Sequence, residues 1–165
     1  MRTICSPAPL TLLAATTLAL STPAQCLFTS VTATATGEPC NAASTGFCAV
    51  AAFPSFLLPE LDVANCTLEV TITAFEGCGA VVPLRVLAIG FQPAAVPLPE
   101  FGFGCELQVT PIALLTTPSP TVSIALPPGV PTMNFVAQGL AWSHFAAAAN
   151  PDGFAFTSGY TIDLQ

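Results

Sequence analysis

The one tryptophan and the one histidine of the chain lie two residues apart, Trp142 and His144, in the segment AWSHF. Histidine titrates near neutral pH and is the commonest base in nucleophilic catalysis, so Ser143 beside it invites a nucleophile–base reading. Adjacent residues on a strand point to opposite faces, however, which separates this pair. No G-x-S-x-G elbow is present, and Asp152 or Asp163 would have to orient the imidazole through a fold contact. A secreted hydrolase built on His144 is therefore the third reading, and no catalytic residue is assigned. Glycosidic chemistry needs two carboxylates flanking a cleft. Glu60 with Asp62, Glu69 with Glu76, and Glu100 with Glu106 are available. Their positions on a polar strand face and in proline-rich loops read instead as solvated charges that keep the chain soluble.

Metal chemistry has little to work with. Zinc sites use closely spaced cysteines with histidine support, whereas this chain has no C-x-x-C and a single histidine. The NPDG segment at 150–153 lacks the spacing of a calcium loop and reads first as a turn. No metal and no cofactor is expected. Trp142 has a further use. Exposed aromatics stack on sugar rings, and Trp142 with Tyr160, accompanied by Phe101, Phe103 and His144, could form such a platform. Against this, Val136, Gln138, Leu140 and Trp142 share one face of NFVAQGLAW, and Phe135, Ala137, Gly139 and Ala141 the other. Both faces are apolar enough to be covered, which favours a core role for Trp142. Gly139 would leave room for a large ring from a neighbouring strand.

Charge excludes whole classes of partner. There is no lysine, the arginines are Arg2 and Arg85, and nine carboxylates give a net charge of −7. Nucleic acids and anionic lipid headgroups are bound by cationic side chains, so neither is a partner. Between Glu106 and Asp152 no residue carries a formal charge, but seven prolines interrupt the stretch and forbid a spanning helix.

Residues 1–24 read as a secretory signal peptide, with Arg2 before the apolar run LTLLAATTLAL and cleavage after Ala24. Localisation is then secreted or cell-envelope, with no membrane span in the mature chain. Acylation of Cys26 is the minor alternative, disfavoured by Gln25 before it. The mature chain keeps Cys26, Cys40, Cys48, Cys66, Cys78 and Cys105, an even set that suggests three disulfides in an oxidising compartment. Connectivity is open; the short loop between Cys40 and Cys48 makes them the expected local pair. Asn65-Cys66-Thr67 matches a glycosylation sequon but carries little meaning with Cys66 bridged.

The elements that must position these residues follow a period of two. In CTLEVTITAF, Leu68, Val70 and Ile72 alternate with Thr67, Glu69, Thr71 and Thr73. VTATAT (31–36), VVPLRVLAIGF (81–91), CELQVTPIALL (105–115), TVSIAL (121–126), NFVAQGLAW (134–142), FAFTS (154–158) and YTIDL (160–164) behave similarly. Glycine- and proline-rich turns separate them about every dozen residues. The expectation is an all-β chain: one antiparallel β-sandwich, jelly-roll or Ig-like, of about six to eight strands over residues 25–165. Residues 37–65 read as an irregular, disulfide-stapled loop region, with FPSFLLPELD lying over the sheet.

The motifs FGFGCELQVTP at 101, IALPPGVP at 124, NFVAQGLAW at 134 and NPDGFAFTSGYTIDL at 150 resemble a β-sandwich module of exported planctomycete-type bacterial proteins. The likeness covers roughly residues 80–165, and Gly139 departs from it where an aromatic often follows the glutamine. It implies an exported, envelope-associated module without assigned chemistry. The expectation is a non-catalytic structural or interaction role at the bacterial surface, with envelope polysaccharide or other surface proteins as partners. A carbohydrate-binding module is the alternative.

Overall fold

A computed structural model describes residues 26–40, 55–73, 82–101, 105–142 and 154–165. The proposed signal peptide, Cys48, Cys78, Phe103, Ser143, His144 and Asp152 lie outside these residues.

Among the described residues ten strands alternate with turns and no α-helix occurs. They are β1 (Val31–Ala35), β2 (Phe56–Asp62), β3 (Thr67–Thr73), β4 (Leu84–Gly90), β5 (Pro93–Pro97), β6 (Glu106–Val109), β7 (Ala113–Thr117), β8 (Thr121–Ala125), β9 (Met133–Trp142) and β10 (Phe154–Leu164). A single 3-10 turn spans Pro99–Phe101. The main sheet runs β1-β10-β9-β4-β7, a second sheet runs β2-β3-β8, and β5 pairs with β6 alone. Every pairing is antiparallel.

The core lies between the two larger sheets. β3 behaves as its alternation dictates: Leu68, Val70 and Ile72 are fully buried, and Glu69 faces solvent. They pack with Leu57 of β2 and Val122 of β8 against Leu87, Phe135, Ala137, Ile162 and Leu164 of the main sheet. Each large aliphatic side chain removed from water contributes about 1.5–3 kcal/mol. β9 is covered on both faces, as its unbroken apolar letters require. Ala137 faces the second sheet, while Val136, with Ala88 of β4, packs under Val109 of β6. The β5–β6 hairpin is thus a third layer on the outer face of the main sheet.

One irregularity sits at the centre. Phe156 pairs with Leu140 and Gly159 with Gln138, so Thr157 and Ser158 together oppose Gly139. Such a two-against-one bulge bends the strand and twists it locally. Gly139 fits the opposing position because a Cβ there would lie 2.8 Å from Leu57 Cδ2 and 2.9 Å from Ile72 Cγ2. The space left by this glycine is filled by aliphatic groups and the Thr157 methyl, not by an aromatic ring.

The sequence reading is corrected in two places. The segment read as an irregular loop over 37–65 contains β2, which pairs with β3 along seven residues. Pro59 is tolerated there because β2 is an edge strand, and Pro93 and Pro97 are tolerated in β5 for the same reason. Finally, Cys40 pairs with Cys105, at a Cα separation of 4.9 Å, rather than with Cys48. Sequence proximity is outweighed here by β-pairing, since the main chain of Cys40 bridges to Phe156 on the face that Cys105 covers. Cys26 pairs with Cys66, Cα atoms 5.1 Å apart, and ties the N-terminal segment to the β2–β3 turn.

Candidate functional site

Trp142 and Tyr160 do not share a surface. Trp142 ends β9 on the Val136–Gln138–Leu140 face, opposite Leu84 of β4, and is half-buried. Tyr160 pairs with Ala137 and packs into the core on the opposite face. Burial raises the Tyr160 phenol pKa, while a hydrogen bond with the Leu57 backbone pulls it back down. That phenol therefore bridges the two sheets, and the platform pairing it with Trp142 is not formed. His144 lies outside the described residues.

Other aromatics gather near Trp142 instead. Phe154 is its cross-strand partner on β10. The Phe101 ring lies edge-on to Phe154, centroids 5.2 Å apart, and to Phe156 at 5.4 Å. Phe156 is fully buried with Cys40 and Cys105, while Phe101 and Phe154 are half-buried. Sequence spacing could place Trp142 and Phe101 only as separate candidates, because the pairing of β9 with β10 is what brings Phe154 between them.

The buried polar side chains are engaged in the fold. Gln138 is fully buried; its Oε1 accepts from the Gln108 N–H at 2.8 Å. Its Nε2 donates to the carbonyls of Glu106 at 3.0 Å and Thr157 at 3.1 Å. Gln108 returns the arrangement, donating to the Glu38 carbonyl at 2.7 Å and accepting from the Gly159 N–H. The Thr157 hydroxyl accepts from the Gly139 N–H and donates to the Ser158 carbonyl, closing the bulge. Together the two glutamines fasten the third layer to β9 and β10. Arg85 is buried too, its Nη1 donating to the carbonyls of Val82 and Pro118.

The carboxylates are spread over the surface. Glu60 and Glu69 are register partners on the outer face of the second sheet, a juxtaposition that sequence spacing could not show. Both are exposed on an open strand surface. Asp62 caps the β2–β3 turn, accepting from the N–H groups of Ala64 and Asn65 and from the Asn65 side-chain amide at 2.7 Å. The Asn65 amide, with backbone help, holds the Asp62 carboxyl below its ordinary pKa. Asp163 accepts from the Asn134 side chain across β9 and β10. Among the described residues no three His, Cys, Asp or Glu side chains converge as metal ligands would, and no helix is long and apolar enough to cross a membrane.

Large apolar side chains are also left in solvent. Phe91, Ile112 and Leu114 are 64%, 64% and 62% exposed. They occupy one corner: Leu114 pairs with Ala88, the Ile112 N–H donates to the Ile89 carbonyl, and Phe91 follows the end of β4. Comparison with known protein families, curated proteins and solved structures finds no match to this chain.

Proposed function

We propose that this is an exported, non-catalytic protein that acts at the bacterial cell surface or envelope through contacts of its apolar surface. The observation that carries the reading is the corner formed by Phe91, Ile112 and Leu114. Clustered exposed apolar side chains cost solubility and mark contact surfaces on soluble proteins. The frame that presents them is stapled by Cys26–Cys66 and Cys40–Cys105, which fits an oxidising, extracellular compartment. Its buried glutamines and Thr157 are engaged in holding layers together, which is the chemistry of a scaffold. The test is fractionation of a bacterium producing the full-length chain. The expected product begins at Gln25, carries no free thiol at Cys105, and is found in the envelope or medium. A full-length, reduced, cytoplasmic product would overturn the proposal.

A carbohydrate-binding role is the second reading, favoured by the Trp142–Phe154–Phe101 cluster rather than by Trp142 with Tyr160. Tryptophan emission titrated with envelope polysaccharides tests it. A saturable change supports the reading, and an unmoved spectrum removes it.

A further inference from the structure

We infer that β7 is a self-association edge, at which two copies of this chain pair antiparallel and join their main sheets into one of ten strands. An end strand presents unpaired N–H and C=O groups, and proteins ordinarily blunt such edges with proline, charge or a covering segment. On one flank of the sandwich the devices are present. There β1 lies beside β2, and β2 carries Pro59, Glu60 and Asp62. The edge strand of the third layer, β5, begins and ends with proline. The opposite flank, where β7 lies beside β8, has neither device within its strands, ALLTT and TVSIA.

Of these two, β7 carries the exposed leucine, Leu114, with Ile112 just before it. Its sequence complements itself. Laid antiparallel about a two-fold axis at Leu115, it sets Leu115 against Leu115, Leu114 against Thr116, and Ala113 against Thr117. The half-buried Leu115 would then continue the core across the joint, and Leu114 would meet the methyl of the partner's Thr116 on the outer face. This is an isologous contact, which closes at two copies. Charge favours a second copy as the occupant. Each chain carries −7 overall, yet no Asp, Glu, Lys or Arg lies between Glu106 and Asp152. Two copies can therefore approach along this edge without opposing charges, and a charged partner finds no ion pair to make there.

The inference rests on the interaction reading above and adds, along the β7 backbone edge, a second copy of this chain to the envelope contacts of the apolar corner. Sedimentation of the oxidised mature chain, across a concentration series, tests it. The expected result is a monomer–dimer equilibrium. Leu114→Lys, a change at an exposed site, should weaken it by about 10-fold or more, because the apolar contact of Leu114 with the partner's Thr116 is made twice across the joint and each is replaced by a strongly hydrated ammonium. The control Leu58→Lys, exposed on β2, should leave it unchanged. A monomer at every concentration, a dimer indifferent to Leu114→Lys, or filaments that grow without closing would each overturn the two-fold β7 pairing. Envelope retention of a strictly monomeric chain would leave the interaction reading standing.

Discussion

Gln138 shows how much a single side chain can fasten. Replacing it with leucine keeps the volume but strands the Gln108 N–H and the carbonyls of Glu106 and Thr157, all turned toward it. An orphaned buried backbone group costs about 1–3 kcal/mol, so Gln138→Leu should lose about 3–5 kcal/mol. A urea midpoint that falls at constant m-value would register this. Asp62 makes a smaller, pH-dependent contribution. Its folded pKa is depressed by the Asn65 amide, so the turn is held above the ordinary carboxylate range and loosens as pH falls through the folded pKa. Protection of the Ala64 and Asn65 amides, taken relative to the unfolded-chain exchange rate at each pH, should fall on acidification, and Asp62→Asn should abolish that dependence. At this scale the face of each β9 residue was legible from alternation. The partners of Gln138 were not, because they come from β6 and β10, roughly 20 to 30 residues away in sequence. Its position amid apolar letters was the available signal.

The bulge is the element on which the sandwich turns. Thr157 and Ser158 crowd opposite Gly139, and Leu57, Ile72 and Thr157 close over it. Gly139→Ala would push a methyl to within 3.0 Å of all three, an overpacking that should cost about 1–3 kcal/mol. Thermal unfolding checks it, and the loss should shrink when Leu57→Val is added. Strands with strict alternation, β3 above all, were legible in the sequence. β2 and β5 were hidden because proline and charge disguise edge strands as loops. The two sequence segments FAFTS and YTIDL form one strand, β10, because Gly159 accommodates the register shift instead of ending the strand.

At the scale of the whole molecule, composition sets unusual terms. With no lysine and Arg2 in the proposed signal peptide, Arg85 is the single trypsin site of the mature chain. It is 7% exposed and lies in β4 between β7 and β9. Native mature protein should therefore resist trypsin. Unfolded without reduction, it should be cut once into halves that stay joined through Cys105, and reduction should release them. All-β character and the presence of disulfides were legible from the chain alone. The disulfide partners were not, since pairing follows sheet topology, which brings Cys40 beside Cys105 across 65 residues.

In the proposed function the apolar corner, and not a reactive group, meets the envelope. Its most direct test is envelope retention of a Phe91→Ser, Ile112→Ser double variant beside the parent chain. Both positions are exposed, so the variant should fold, with unchanged circular dichroism and the same trypsin resistance. The parent should stay with the envelope, and the folded variant should be released to the medium. Equal retention of the two would contradict it and place the binding surface elsewhere on the molecule.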